Sequence, residues 1–328
     1  MSDVLILGGT GWLSGRIAQR WLDAGASVTV LARGGRPAPY GAALVTADRD
    51  DPDAYARVAD RDWDEVVDIS SRPEHVAAAV EALADRTRHW TYVSSLSAYA
   101  ANDDVGADES AALAEPLGPR EEYDYSRAKA ACEASVRNAL VHRAAIVRPG
   151  LIVGPGDPTD RFGYWVARFA LAAAEPVLVP AAPGAMAQVI DVDDLADFIV
   201  AFGRERWTGV ANTIGDPLPL AELLALARDV AGHTGEIVRA DDDWLVARDV
   251  AHWAGPRSLP LWLPDDMPGF ATRSNAVYRL LGGTIRPLRA TLERTLADER
   301  DRGLARERST GLTRDAEREL IEELGQSV

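Results

Sequence analysis

Cysteine and lysine are nearly missing from this 328-residue chain, each occurring once, as Cys132 and Lys129. A single cysteine excludes an internal disulfide and any zinc site built from several thiolates. Cys132 itself reads as a small buried hydrophobe. The five histidines, His75, His89, His142, His233 and His252, are scattered without ligand spacing, so no metal is expected. No apolar run reaches about 18 residues, the length a membrane-spanning helix needs. The first residues form a strand with no basic segment before them, which leaves no secretory signal. A cytoplasmic location is therefore expected. Acidic side chains outnumber basic ones 51 to 35, for a formal net charge of −16 and a pI near 4.8. Tracking a phosphate backbone or an anionic membrane usually needs basic patches, so neither nucleic acid nor membrane is an expected partner. What is present fits a globular protein. The 47% hydrophobic content and the length suit one large α/β domain plus a smaller one.

The lone lysine stands four residues after Tyr125, in Tyr125-Ser126-Arg127-Ala128-Lys129, while the other 34 basic side chains are Arg. An ammonium is compact, with three freely directed donors and a tunable pKa, whereas a guanidinium is a planar, permanently charged fork. Residues four apart share a helical face, so Lys129 is placed to favour ionisation of the Tyr125 phenol. That is the chemistry of a tyrosine acid/base.

A second signal lies at the amino terminus. The apolar run Val4-Leu5-Ile6-Leu7 leads into Gly8-Gly9-Thr10-Gly11-Trp12-Leu13-Ser14-Gly15 and then a helical pattern through Trp21 and Leu22. Strand, glycine turn and helix form the setting in which a backbone approaches a pyrophosphate and meets its charge with helix-start amides. Gly8 and Gly11 fill the first two places of a G-x-x-G-x-x-G spacing. Ser14 takes the third, and is small enough for close packing.

Apolar runs alternate with helical patterns over the first 150 residues: Val28–Leu31, Leu44-Val45, Val66–Ile69, Trp90–Val93 and Ala144–Val147. This alternation predicts a Rossmann-type, doubly wound parallel sheet. Residues 1–150 are expected to form a dinucleotide-binding domain, with 186–204 returning to it. Residues 151–185 and 205–328 are expected to form a smaller, discontinuous substrate-binding region with C-terminal helices. The acidic stretch from Asp103 to Tyr123 reads as a surface loop, and the charged tail from Leu292 to Leu324 as exposed, solvated helices.

Five segments together resemble the short-chain dehydrogenase/reductase superfamily, closest to its extended and atypical epimerases, dehydratases and reductases. They are the glycine turn, Ala47–Asp50, Tyr92–Tyr99, the Tyr125/Lys129 pair, and Arg148-Pro149-Gly150 with Gly154-Pro155-Gly156. The resemblance implies that Tyr125 is the general acid/base and that Lys129 holds the nicotinamide ribose and lowers the tyrosine pKa. It implies a triad completed by Ser95, four residues before Tyr99, in preference to Ser94 or Ser97. Gly8, Gly11, Trp12, Leu13, Arg33, Asp48 and Ser70 are the implied cofactor contacts besides Lys129. Ser95, Arg161 and Trp165 are the expected substrate-side residues.

At the end of the second strand, Ala32 stands where an acid would select NAD, and Arg33 follows, able to receive a 2′-phosphate. NADP(H) is therefore expected over NAD(H), although an Arg33 that only stacks on adenine would serve either. The expected function is hydride transfer between NADP(H) and a carbonyl or alcohol of a small metabolite. Leu96 and Ser97 stand where similar sugar-nucleotide dehydratases carry an Asp-Glu pair, which argues against elimination. One alternative is an NAD(P)-retaining epimerase of a sugar or sugar nucleotide, and another is a non-catalytic dinucleotide-binding protein. The sequence leaves oligomeric state open; helix-mediated pairing among relatives favours a homodimer only slightly.

Overall fold

The computed structural model describes residues 1–326. The chain divides into two compact units. The first comprises Met1–Leu151, Val192–Gly215 and Arg273–Thr284; the second comprises Ile152–Asp191, Asp216–Thr272 and the described residues from Ile285. The segment returning to the first unit is therefore 192–215 rather than 186–204, and a further piece, 273–284, joins it.

The first unit is built on strands β1 (Asp3–Leu7), β2 (Ser27–Ala32), β3 (Ala43–Thr46), β4 (Glu65–Asp68), β5 (Trp90–Val93) and β6 (Ala144–Pro149). A seventh strand, Gly209–Thr213, pairs with β6 at one edge. The sheet order from that edge is β6, β5, β4, β1, β2, β3, and every pairing is parallel. The predicted doubly wound sheet is thus present. Val4, Leu5, Ile6 and Leu7 are all fully buried, as expected for a strand covered on both faces. Helix α1 (Trp12–Asp23) packs with the helix Val192–Glu205, and α2 (Pro73–Leu83) with α3 (Tyr125–Ala139). In α1 the buried Ser14, Ile17, Ala18 and Trp21 follow the three-to-four residue spacing of one helical face. The chain reverses direction across the sheet between β1 and β4. In such sheets this switch point opens a crevice at the carboxyl ends of the strands.

The second unit pairs the strands Val177–Pro180 and Ile237–Ala240 in parallel and packs the helix Arg161–Ala172 against Leu220–Ala231 and Leu288–Arg302. Here the charged tail is exposed as expected on one face and buried on the other. Thr291, Leu292, Thr295, Leu296, Glu299, Glu317 and Leu320 are buried. Glu299 pairs with Arg302, Arg306 and Arg308, and Asp160 with Arg302 and Arg306. The buried Glu299 is thus met by arginines, while Glu293, Arg300, Asp301, Glu319 and Glu322 on the same helices stay exposed. No helix among the described residues is long and apolar enough to cross a membrane.

Candidate active site

A cleft of about 700 Å³ lies at the carboxyl ends of β1 to β4. Gly8, Gly11, Arg33, Asp48 and Ser70 line it; Trp12 and Leu13 follow Gly11 as the first two residues of α1. Gly8 has φ +87°, a conformation in which a side chain would be strained. The turn is stitched by the residue at the third glycine place. Buried Ser14 donates its hydroxyl to the Gly8 carbonyl at 2.8 Å and accepts the Gly11 amide at 3.0 Å. Ser14 is thus a working part of the turn and more than a small filler. The first turn of α1 carries no acidic residue, so the positive end of the helix dipole is left for an anion.

On the far side of the cleft, Arg33 and Arg36 are exposed and make no ion pair among the described residues. The neighbouring Arg49 is fully engaged. It grips Asp68 with a two-pronged contact at 2.8 and 2.7 Å and also reaches Tyr55 and the His75 carbonyl. Asp68 in turn accepts the Ser70 amide at 3.0 Å. Arg49 and Asp68 therefore fix the floor of the cleft, a role that adjacency in sequence does not signal. A glycine turn, a helix start and two unpaired cations around one cleft fit the phosphates of a dinucleotide.

The triad candidates come from two neighbouring elements. Asp124 caps α3 by accepting the Arg127 amide at 2.8 Å, which makes Tyr125 the first helical residue. Tyr125 is 44% exposed and Lys129, one turn on, only 3%. The Lys129 ammonium donates to the carbonyls of Val93 at 2.7 Å and Ser70 at 3.0 Å, with Ile69 at 3.5 Å, and lies 4.9 Å from the Tyr92 ring centre. Burial is the dominant influence and lowers its pKa to about 8, against the opposing pull of Cys132, Asp68 and Glu133. Cys132 is a buried free thiol pushed up to about 11 by burial, in keeping with an inert core residue. Ser95 caps the short turn Leu96–Ala98 by accepting the Ser97 amide at 3.1 Å. Its own hydroxyl proton has no acceptor among the described residues. Ser94 is buried, and its hydroxyl makes no hydrogen bond within the described protein.

Arg161 and Trp165 belong to the second unit. Arg161 stacks over Trp253 with 4.9 Å to the ring centre and donates to Thr159. Trp165 has no exposed surface. Its indole donates to the Pro260 carbonyl at 2.8 Å, and Tyr164 meets its ring edge-on. An indole so satisfied is a core residue.

Three likenesses accompany this geometry. The chain is 29% identical over 255 residues to 2′-dehydrokanamycin reductase of Streptomyces kanamyceticus, covering 74% of this chain and 70% of that one. It is 35% identical over 150 residues to ceramide reductase of Caulobacter vibrioides, covering 45% of this chain but only 38% of that protein's length. Among solved structures, UDP-glucose 4-epimerase from Thermotoga maritima, determined with UDP-glucose, superposes with a TM-score of 0.67 at 15% identity, over 92% of this chain and 99% of that one. The model of the NAD dependent epimerase/dehydratase family matches residues 4–214, most of the first unit, and the chain belongs to that family.

Proposed function

We propose that this protein is an NADP(H)-linked reductase or dehydrogenase acting on a carbonyl or alcohol of a small metabolite. The observation that carries the proposal is the placement of Lys129. Its ammonium is buried against carbonyls at the ends of β4 and β5, one helical turn beyond an accessible Tyr125. A bound nicotinamide supplies or accepts the hydride. In the reducing direction Tyr125 gives its phenolic proton to the carbonyl oxygen as the carbon is reduced, and Ser95 donates a hydrogen bond to the same oxygen. The exposure of Tyr125 lets solvent return the proton. Its position at the start of α3 stabilises the phenolate by the positive end of the helix. Arg33 and Arg36, unpaired at the cleft, support a 2′-phosphate and hence NADP(H).

The reductases among the relatives support net redox chemistry. The sugar-nucleotide epimerase fold supports a second possibility, an enzyme that keeps its dinucleotide and returns the hydride. The test is to strip the purified protein of nucleotide, measure Kd for NADPH and NADH, and follow reduced-cofactor absorbance across a panel of ketones, aldehydes and sugar nucleotides. Tighter NADPH binding with stoichiometric NADPH consumption is expected. Conversion of a sugar nucleotide without net change in reduced cofactor would replace the reductase with the epimerase.

A further inference from the structure

We infer that Arg148, Glu133 and Tyr99 form a positioning clamp that fixes the helix bearing Tyr125 and Lys129 against the turn bearing Ser95. The inference rests on the triad proposed above. Glu133 lies on α3 one turn beyond Lys129 and two turns beyond Tyr125. Arg148, on β6, closes on it with two parallel bonds, Nε to Oε1 at 2.8 Å and Nη2 to Oε2 at 2.7 Å. The remaining terminal nitrogen, Nη1, donates to the Tyr99 hydroxyl at 2.8 Å. Tyr99 ends the turn Leu96–Ala98 that Ser95 caps, and its hydroxyl donates onward to Asn212 at 2.7 Å. The Tyr99 ring is also flanked by two guanidiniums, with 4.7 Å from its centre to Arg148 and 4.1 Å to Arg273. One guanidinium thus touches both elements that carry the triad.

Stability alone is a poor reason for this arrangement. Arg148, Glu133 and Tyr99 are all buried, and a buried ion pair can often be replaced by apolar residues of similar volume without loss of stability. What the pair provides is geometry. A two-pronged guanidinium–carboxylate contact sets distance and orientation together, and the third bond ties the Ser95 turn to the same point. A hydroxyl and a phenol that must meet on one substrate oxygen need that relative placement. Catalytic rate is sensitive to misplacement on the scale of 1 Å, which costs on the order of a hundredfold. These three are positioning residues, since they act through Ser95 and Tyr125, whereas Lys129 is held separately by the carbonyls of Val93 and Ser70.

Two variants test the clamp in the full-length protein. Tyr99→Phe removes only the hydroxyl between Arg148 and Asn212. The double variant Glu133→Met with Arg148→Met removes the fork and leaves no buried charge unpaired, since Arg137, which also reaches Glu133 at 3.3 Å, is exposed to solvent. Well below each Tm, both are expected to lower kcat on an established substrate by about tenfold to a hundredfold, with Kd for NADPH and NADH unchanged. A folded double variant that keeps wild-type kcat overturns the clamp; should it not fold, wild-type kcat in Tyr99→Phe does so. Tyr125→Phe is run alongside. If it is inactive while the clamp variants are fully active, the clamp alone fails, whereas an active Tyr125→Phe sinks the triad itself.

Discussion

The Lys129 ammonium and the Val93 carbonyl oxygen are 2.7 Å apart, with the Ser70 carbonyl 3.0 Å away on the neighbouring strand end. A compact ammonium addresses the carbonyls converging from β4 and β5 in a buried space that a larger, planar guanidinium would overfill. This accounts for the single lysine in a chain that otherwise uses Arg. Lys129→Arg should cost about 1–3 kcal/mol through overpacking, visible as a lowered Tm. Because burial brings the Lys129 pKa to about 8, its charge is lost as pH rises through that value. Dinucleotide Kd should therefore increase above pH 8 in the wild type and stay level in Lys129→Met. A level wild-type profile would remove Lys129 from the binding site.

Arg33 is exposed in the cleft without an ion-pair partner among the described residues. A charge-assisted hydrogen bond contributes about 1.5–3 kcal/mol, so Arg33→Ala should weaken NADPH binding by about tenfold to a hundredfold. NADH binding should hardly change. Equal losses for both dinucleotides would assign Arg33 to the adenine face instead.

His89 places Nδ1 2.5 Å from Glu65 Oε2 and Nε2 2.7 Å from the Trp207 carbonyl. Burial by itself lowers the His89 pKa, but the hydrogen bond and charge of Glu65 outweigh it, and the net shift is upward. A histidine whose folded pKa exceeds the unfolded value of about 6.5 stabilises fully below that pH and loses the contribution as pH rises through the folded pKa. Burial also raises the Glu65 pKa, so the pair needs a pH high enough to ionise Glu65, and above that the Tm gap between wild type and His89→Gln should narrow as pH rises through the folded His89 pKa. A constant gap would show that the pair does not titrate on unfolding.

Gly163 sits where a Cβ would lie 2.5 Å from Glu299 Oε1. Gly163→Ala must therefore displace the carboxylate that Arg302, Arg306 and Arg308 share. A loss of about 1–3 kcal/mol is expected from denaturant unfolding. A variant as stable as the wild type would mean that the cluster relaxes freely.

The central sheet was legible because its strands are short apolar runs between glycine turns and helical patterns, and burial on both faces leaves little ambiguity. The edge strand Gly209–Thr213 was not, since Gly209, Asn212 and Thr213 break the apolar run and its partner β6 is distant in sequence. In the site, the glycine turn and Tyr125/Lys129 spacing were readable because they are local. The acceptors of Lys129 are backbone carbonyls, which no side-chain pattern encodes. The Arg49–Asp68 contact joins residues 19 positions apart, and charge pairing at that distance leaves no periodic trace. Trp165 and the buried face of the tail were illegible for one reason: composition does not reveal which indole, or which face of a charged helix, finds its partners in protein.

Proton exchange at Tyr125 is the central step, and the most direct measurement compares turnover and dinucleotide affinity in Tyr125→Phe and wild type on the same substrate. Loss of general acid/base catalysis is typically a factor of about 10² to 10⁴, so kcat should fall by at least about a hundredfold while Kd for NADPH stays within about twofold. Wild-type turnover in Tyr125→Phe would contradict the account.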